Sequence, residues 1–387
     1  MSLMKPEVTE LGVKAAFVDG ELVPGDVRTA GGQVTAVGVD AGPAARGTAV
    51  PGFIDVHING FAGVDFLTAE PDDYDRVGSA LAATGVTAYV PTFVTSPLDT
   101  YERALRAVSE IAPDAGPRVL GVHLEGPFIS RRWAGAHDER YIQEPDLELA
   151  GRLCDAGPVR IVTLAPERPG GLELVEYLSE RGIVVSCGHS DADAQTAHSA
   201  FDRGSRAVTH VYNAHRRWQP RDPGLGGAAL VRDDVTVQAI VDDIHLAPET
   251  SYAAFLATRQ RFCLVTDAIA AAGLPPADSR LGHRNVQVRD GEVRLPDGTL
   301  AGSVLTMDRA VANLVAKGAS LAAAVHAASR APALLIGRPD LGRIAVGHPA
   351  DIAVLDDDLS VIRTLVGGEE VDVRQRNFDS ISPRNAL

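Results

Sequence analysis

The sequence predicts an α/β protein: a closed (β/α)₈ barrel of the TIM type with a small β-sandwich domain formed from both chain termini. From residue 51 onward, eight short apolar segments alternate with segments of helical periodicity. Short β-like segments with glycine-containing turns occur near both ends of the chain. Serial β/α units favour a parallel sheet, and eight of them favour a closed barrel, with a doubly wound open sheet as the alternative.

The eight predicted barrel strands each combine an apolar stretch with polar residues at or after the end. They are FIDVHI, TAYVPTF, VLGVHLEG, RIVTLAPE, IVVSCGHS, AVTHVYN, VQAIVDDIH and FCLVTDA. The segments between them have helical patterns, and DADAQTAHSAFDRG opens with an aspartate typical of a helix N-cap. Two Asp-Gly turns within residues 285–302 predict a hairpin, and helices are expected at about 307–317 and 320–330.

Both ends of the chain contribute to the predicted small domain. AAFVDGELV and GGQVTAVGV near the start alternate short β segments with tight turns, and ADIAVLDDDLSVIRTLVGGEEV near the end returns to short strands. We therefore expect residues 1–50 and 340–387 to form the β-sandwich and residues 51–339 to form the barrel.

Composition argues against several classes of protein. A net charge of −15 without a run of Lys or Arg disfavours nucleic acid as a partner. No apolar segment approaches the roughly 18 residues of a membrane helix, and MSLMKPEVTE lacks the apolar core of a secretion signal. The three cysteines have no CxxC spacing, which suits buried thiols in a reducing cytoplasm, the expected location.

Polar residues follow the ends of six predicted strands. In a parallel barrel the carboxyl ends of the strands meet at one face, where such folds build their active sites. Convergence at six of eight strand ends indicates a functional site. The residues are His57 and Asn59, Glu125, His189, His210 and Asn213, His245, and Asp267.

Three of these residues suit a catalytic metal. Glu125, His189 and His210 offer one carboxylate and two imidazoles, which leaves a coordination position for water. We expect one divalent ion per subunit, with zinc as the first candidate and iron, cobalt or manganese as alternatives. Asp267 would then take the proton of the attacking water and pass it to the leaving amine. The sequence contains no GxSxG elbow, Walker loop or GxGxxG after a strand.

Seven motifs in order carry a family resemblance that extends over roughly residues 14–370. The sequence resembles the N-acetylglucosamine-6-phosphate deacetylase branch of the amidohydrolase superfamily. Any one motif is weak, but the ordered set is highly specific. The motifs are PGFIDVHINGF at 51–61, HLEGPF at 123–128, GHSDA at 188–192, THVYNAH at 209–215, DDIH at 242–245, LVTDA at 264–268 and LAGSVLTMD at 300–308.

The resemblance implies a homodimeric enzyme that removes acetate from N-acetyl-D-glucosamine 6-phosphate, in amino-sugar catabolism and cell-wall recycling. It assigns the metal to Glu125, His189 and His210 and catalysis to Asp267. It also implies that Arg221 reaches into the partner subunit's site to hold the phosphate, a contact suited to a bidentate guanidinium. The implied substrate contacts are Ala136, His137, Asn213, Ala214, Arg221, His245, Leu300, Ala301 and Gly302.

The sequence departs from the family pattern at three places. His57-Ile58-Asn59 is intermediate between the His-x-His of two-metal members and the Gln-x-Asn of one-metal members, so His57 is a candidate ligand for a second metal. Asp243 stands where the family commonly has glycine, and His215 replaces a usual methionine. Both substitutions lie near the expected substrate site and bear on sugar preference.

Two alternative functions remain open on the sequence. Another amidohydrolase chemistry, a cyclic amidase or a deaminase, would usually present His-x-His with a bridging lysine, and no predicted strand end supplies that lysine. A metal-free, non-enzymatic relative has no physical need to keep Glu125, His189, His210 and Asp267 together. Metal analysis of the purified chain separates the second alternative from the enzymes.

Overall fold

Eight parallel strands form the centre of the molecule. The computed structural model describes residues 7–111 and 116–371. Each strand pairs in parallel with the next one along the barrel. In order they are Phe53–Ile58, Val86–Val94, Val122–Glu125, Val159–Leu164, Val184–Cys187, Ala207–Val208, Thr236–Ala239 and Phe262–Leu264. A two-residue strand, Arg118–Val119, also pairs with the second barrel strand.

Backbone hydrogen bonds close the ring between the first strand and the segment after the eighth. The amide of Asp267 donates to the carbonyl of His57 at 2.8 Å, and the amide of Asn59 donates to the carbonyl of Ala268 at 2.7 Å. The predicted closed barrel is therefore confirmed. An open doubly wound sheet would leave these two edges apart.

The barrel strands are buried because helices cover the outside of the sheet. All nine residues of Val86–Val94 are buried, which fits the continuous apolar strands of a parallel sheet. The helix Ala194–Asp202 is capped by an aspartate, as predicted, but the cap is Asp193, two residues after the aspartate that opens the segment; its side chain accepts from the amide of Thr196. No helix in the described ranges is both long enough and apolar enough to cross a lipid bilayer.

The helices lie mostly between successive barrel strands or after the eighth strand. The α-helices are Pro71–Ala82, Leu98–Ser109, Leu147–Asp155, Gly171–Glu180, Ala194–Asp202, Gly224–Leu230, Pro248–Thr258, Met307–Ala316, Leu321–Ala328 and Arg330–Leu335. Short 3₁₀ helices are Arg131–Trp133, Glu139–Tyr141 and Arg259–Arg261.

A small antiparallel sheet follows the eighth barrel strand. Its strands, in order across the sheet, are Ser279–Leu281, Arg284–Arg289 and Glu292–Arg294. The predicted hairpin is present, with Asp290 and Gly291 both at positive φ as a tight two-residue turn requires. The first strand, Ser279–Leu281, lies before the predicted segment and was not predicted, because three residues are too short for alternation to mark a strand in the sequence. This sheet lies beside the mouth of the barrel and contributes to the site described below.

Strands from both ends of the chain pair in one terminal sheet. Ile352–Leu355 pairs antiparallel with Thr48–Pro51, which leads directly into the first barrel strand. The order across the terminal sheet is Glu369–Glu370, Val361–Val366, Ile352–Leu355, Thr48–Pro51, Ala15–Val18 and Glu21–Pro24. Separate small sheets are formed by Val8–Glu10, Asp26–Ala30 and Gln33–Val39, and by Gly60–Phe61 and Val64–Asp65.

The exact domain limits, residues 1–50 with 340–387 and residues 51–339, stay a prediction. The parts of the predicted sandwich at residues 1–6 and 372–387 lie outside the described residues. Apolar side chains from both ends of the described chain, among them Val13, Val27, Ile344 and Ile352, share a core cluster that is separate from the main barrel core.

Candidate active site

A cavity of about 420 Å³ opens at the carboxyl ends of the barrel strands. This is the face at which barrels of this type place their chemistry. Asn59, named at a strand end, and eleven further residues predicted from the sequence line the cavity, so the fold brings together side chains that are far apart in the chain. The eleven are Glu125, Ala136, His137, His189, His210, Asn213, Ala214, His245, Asp267, Leu300 and Gly302.

One carboxylate and two imidazoles converge at the floor of this cavity. Glu125 Oε1 lies 3.0 Å from His189 Nε2 and 3.0 Å from His210 Nε2. The two imidazole nitrogens are 3.2 Å apart. All three residues are buried, and theirs is the one group of three or more potential metal ligands in the described ranges whose ligand atoms all lie within 4.8 Å of one another.

The hydrogen bonds around His189 fit a metal ligand. Its Nδ1 lies 2.8 Å from the carbonyl oxygen of Trp133, which can only accept, so Nδ1 carries the proton. In the neutral ring, Nε2 then points a lone pair at the carboxylate of Glu125. Two acceptors at 3.0 Å repel each other unless a cation lies between them. Burial lowers the pKa of His210, which favours the neutral imidazole that metals bind.

Asp267 is held as a carboxylate beside this group. Asn59 Nδ2 donates to Asp267 Oδ1 at 2.6 Å, and His57 Nε2 lies 3.3 Å from the same oxygen. Burial alone would raise the pKa of Asp267, but the charge and hydrogen bond of His57 lower it below its ordinary value. The carboxylate is therefore ionised and can accept a proton.

Backbone strain occurs at three of the four central residues. His189, His210 and Asp267 have positive φ angles of 47°, 29° and 50°, a region that residues with a Cβ rarely adopt. Backbone hydrogen bonds maintain the strain at Asp267, whose carbonyl accepts from the amide of Ser303 at 2.8 Å. Such strain concentrates at functional sites, where it fixes the direction of a side chain.

The Leu300-Ala301-Gly302 segment packs against Asp267. A Cβ on Gly302, which has φ +70°, would lie 2.8 Å from the backbone oxygen of Asp267, so only glycine fits this close approach. Leu300 and Gly302 line the cavity. Ala301, by contrast, is fully buried and is not among the lining residues, so a substrate contact predicted there would have to use its backbone.

His57 lies below the cavity floor rather than in its lining. The ring is fully buried, with Nε2 3.5 Å from Glu125 Oε2 and 3.3 Å from Asp267 Oδ1. Burial opposes protonation, but the two carboxylates raise the pKa of His57 well above its ordinary value. Its proximity to both carboxylates is compatible with a role at a second metal, which stays a prediction.

His137 is buried in the cavity wall. The backbone amide of Thr95 donates to its Nδ1 at 3.1 Å, so in the neutral ring Nε2 carries the proton. That nitrogen lies 3.4 Å from Glu125 Oε2. Burial, followed by the charge of His189, lowers the pKa of His137. The side chain can therefore donate a hydrogen bond within the cavity while remaining uncharged.

His245 is a cavity-lining histidine whose pKa is raised. Its Nδ1 lies 2.7 Å from Asp242 Oδ2. Burial lowers the pKa of His245, but the hydrogen bond and charge of Asp242 outweigh burial and raise the pKa above its ordinary value. No hydrogen bond engages Nε2 among the described residues. The neighbouring Asp243 has φ +65°, a conformation that glycine adopts without strain, and it pairs with Lys317 at 2.5 Å.

Arg221 lies outside the cavity of its own chain. It is exposed in a tight turn in which Gln219 and Asp222 exchange two backbone hydrogen bonds of 2.9 and 3.0 Å. The fold therefore does not bring Arg221 to the other predicted site residues within one chain. This position leaves the predicted action across a subunit interface as an untested proposal.

Several lining residues were missing from the sequence prediction of the site. Trp133 lies shortly before the predicted contacts Ala136 and His137, and Arg294 and Thr299 lie in or next to the small antiparallel sheet. A hairpin pattern indicates strands but not which cavity they face, so no sequence signal identified Arg294. Asn59 was noted at a strand end, and the structure adds its hydrogen bond to Asp267.

Comparison with known proteins agrees with this geometry. The amidohydrolase family pattern matches residues 48–371. N-acetylgalactosamine-6-phosphate deacetylase of Escherichia coli O157:H7 is 35% identical over 325 residues, covering 82% of this chain and 86% of that protein. N-acetylglucosamine-6-phosphate deacetylase of Bos taurus is 41% identical over 346 residues, covering 83% and 82%.

A solved structure of a deacetylase has the same fold as this chain. An aspartate-to-alanine mutant of N-acetyl-D-glucosamine-6-phosphate deacetylase from Mycobacterium smegmatis, in complex with N-acetyl-D-glucosamine-6-phosphate, superposes with a TM-score of 0.88. It is 34% identical and covers 95% of this chain and 99% of its own. The chain therefore belongs to the amidohydrolase family. Within that family it falls in the N-acetylglucosamine-6-phosphate deacetylase branch.

The first prediction concerns the Asp242–His245 pair. Asp242→Asn removes the charge that raises the pKa of His245, so that pKa should fall, and burial should take it below its ordinary value. An NMR pH titration of the His245 ring, assigned with His245→Asn, measures the change. Asp243→Asn is the matched control and should leave the titration nearly unchanged.

The pair also has a defined pH window. Its stabilisation is fully present above the ordinary pKa of a carboxyl group and below the ordinary pKa of an imidazole, and it declines between the ordinary imidazole pKa and the raised pKa of His245. This stabilisation should be lost as pH rises through that pKa and, at the acidic end, as Asp242 becomes protonated. An unaltered His245 titration in Asp242→Asn would contradict the assignment.

Proposed function

We propose that this chain is a metal-dependent hydrolase that deacetylates N-acetyl-D-glucosamine 6-phosphate to D-glucosamine 6-phosphate and acetate. The observation that carries the proposal is the convergence of Glu125, His189 and His210 with the ionised Asp267 in one cavity. Relatives over most of the chain length are named for deacetylation of amino-sugar 6-phosphates. This deacetylation would serve amino-sugar catabolism and cell-wall recycling.

Glu125, His189 and His210 would hold a divalent metal ion. When bound, such an ion polarises the amide carbonyl and makes water a stronger acid, which permits hydrolysis at neutral pH. We propose zinc as the first candidate and iron, cobalt or manganese as alternatives, because a mixed carboxylate–imidazole set suits all four. One ion per subunit is proposed, with His57 as a candidate ligand for a second.

The remaining cavity residues would handle the proton and the substrate. Asp267 takes the proton of the attacking water and returns it to the leaving amine, while Asn59 fixes the carboxylate by holding Oδ1 at 2.6 Å. His137, protonated on Nε2, can donate to the acetyl oxygen. His245 offers a cationic ring to the phosphate, and Asn213, Ala214, Ala136 and the Leu300–Gly302 backbone complete the proposed contacts.

The direct test is acetate release. Purified protein loaded with zinc should release acetate from N-acetylglucosamine 6-phosphate and should be far slower with unphosphorylated N-acetylglucosamine. N-acetylgalactosamine 6-phosphate is the third substrate, because one relative is named for it. Release from none of the three would reject the proposed function.

The second prediction is that Asp267→Asn keeps the fold and the metal but loses catalysis. The amide can neither take the proton of water nor return it to the amine, and general acid–base groups contribute about 10²- to 10⁴-fold. We expect kcat to fall by about 10⁴-fold, near the upper end of that range. Thermal melting and metal content serve as controls. Near-normal turnover would assign the base to another residue.

The third prediction is that a divalent metal is required and is bound at Glu125, His189 and His210. Elemental analysis should find about one ion per chain, from the three-ligand catalytic arrangement. Chelation should abolish activity, and zinc should restore it. His189→Ala should lose the ion, whereas His198→Ala, on the covering helix Ala194–Asp202, should keep it. A stoichiometry near two would instead support a second ion at His57.

We also propose that the working unit is a homodimer in which Arg221 serves the partner subunit's site. The support is its position at an exposed, hydrogen-bonded turn outside its own cavity. The neighbouring Trp218 is 53% exposed, an unusual apolar side chain for a solvent-facing loop. A guanidinium that enters from a partner could bind the 6-phosphate bidentately.

The fourth prediction tests this action across the interface. Arg221→Ala should weaken binding of the phosphorylated substrate by about 1.5–3 kcal/mol, the range for a hydrogen bond to a charged group. Mixing Arg221→Ala with Asp267→Asn should restore activity, because hybrid dimers contain one site with the intact aspartate and the partner's intact arginine. No recovery despite verified subunit exchange would mean that Arg221 acts within its own subunit or has no role.

We propose a cytoplasmic location for this enzyme. Cys187 and Cys263 are buried, and neither they nor Cys154 form a disulfide. Burial raises the pKa of Cys187 to about 12, so this thiol is unreactive. Free, protected thiols fit a reducing compartment. Expression of a tagged protein in its own host, followed by cell fractionation, tests the location.

A further inference from the structure

Arg294 is a cavity-lining cation with no role in the mechanism proposed above. It ends the strand Glu292–Arg294 of the small antiparallel sheet, and its side chain is 42% exposed. An isolated backbone bridge pairs it with Leu300, the first residue of the segment that packs on Asp267. The position of Arg294 is therefore tied to the site by the backbone.

The guanidinium is oriented and still has free donors. Its Nε donates to Glu292 Oε2 at 2.6 Å, and its Nη1 donates to the carbonyl of Gly298 at 2.6 Å. These contacts use two of the five N–H groups. Within the described ranges, Nη2 has no protein acceptor. Two contacts fix the plane of the guanidinium, and the Nη2 donors remain for an oxyanion.

His245 and Arg294 form a cationic part of the cavity. Both side chains line the cavity, and the positive charge of Arg294 acts to lower the pKa of His245. The ring is held by Asp242 through Nδ1, which leaves Nε2 free. The scissile amide of an N-acetylhexosamine 6-phosphate is on C2 and the phosphate is on C6, on opposite sides of the pyranose ring. A substrate with its amide at Glu125 and Asp267 must therefore place its phosphate elsewhere in the cavity.

We propose that Arg294 binds the 6-phosphate of the substrate from within the same subunit and thereby helps to select phosphorylated over neutral sugars. The inference rests on the proposed function. The small antiparallel sheet would then contribute to substrate specificity through Arg294. This role is separate from the role proposed for Arg221, which would reach the site from the partner subunit. Glu292 partly offsets the charge of Arg294, but an exposed pair of this kind is weak and is readily outcompeted by a dianion.

The main test compares two substrates in matched variants. Arg294→Met should lower kcat/KM for N-acetylglucosamine 6-phosphate about 10- to 100-fold, mainly through KM, because it removes hydrogen bonds to a charged group. The unphosphorylated sugar should change less than about 2-fold. Arg294→Lys, which keeps the charge and loses the fork, should fall between Arg294→Met and wild type. Arg289→Met, an exposed arginine on the neighbouring strand, is the control and should behave as wild type.

Inorganic phosphate and mixed dimers complete the test. Phosphate should inhibit the wild type competitively and should inhibit Arg294→Met about 10-fold less strongly. Mixtures of Arg294→Met with Asp267→Asn should not recover activity, since no site in a hybrid has both residues intact. This result contrasts with the recovery expected when Arg221→Ala replaces Arg294→Met.

The experiments give different results if Arg294 has no role in phosphate binding and if the protein is not a deacetylase. Equal losses on both substrates, or no loss on the phosphorylated one, would overturn the role of Arg294 while leaving the deacetylase intact. Recovery in the Arg294→Met mixture would overturn its action within one subunit. If the wild-type enzyme released acetate from neither N-acetylglucosamine 6-phosphate nor N-acetylgalactosamine 6-phosphate, the proposed function would be rejected, and this inference with it. Thermal melting of Arg294→Lys and Arg294→Met checks that the small sheet remains folded.

Discussion

Closure of the barrel at its first and last strands is the constraint on which the site depends. The hydrogen bonds that join His57 to Asp267 and Asn59 to Ala268 lie at the strand ends themselves. They place a histidine, an amide and a carboxylate from opposite ends of the sheet in contact. Without closure, Asn59 could not hold Asp267 at 2.6 Å, and Asp267 would not lie over the group formed by Glu125, His189 and His210.

Electrostatics and backbone strain act together at this point. Glu125 and Asp267 are buried carboxylates, and burial alone would favour their neutral forms. His57, between them, lowers the pKa of both. The left-handed backbone at His189, His210 and Asp267 turns each side chain toward one small volume, at a cost of order 1–3 kcal/mol per residue. The extensive apolar core of the barrel supplies the stability that offsets this cost.

Much of this arrangement could be predicted from the sequence because strand ends in a parallel barrel have a fixed geometry. The eight apolar segments and the polar residues after them were sufficient to predict the cavity lining at Glu125, His189, His210 and Asp267. The sequence could not place Arg294, since the direction of a hairpin over the barrel mouth is set by tertiary packing. It also could not show that Ala301 is buried behind Leu300 and Gly302, because strand alternation is lost in this irregular segment.

The pairing of Thr48–Pro51 with Ile352–Leu355 has a consequence for synthesis of the chain. These partners are separated by the whole barrel, so the terminal sheet can be completed only after the ribosome has made nearly all of the protein. Until then, Thr48–Pro51 presents an unpaired strand edge next to the first barrel strand, and such edges attract other chains. Once the C-terminal strands have left the ribosome, Ile352–Leu355 can pair with Thr48–Pro51 and cover this aggregation-prone edge. A nascent chain that stops before residue 352 lacks that protection.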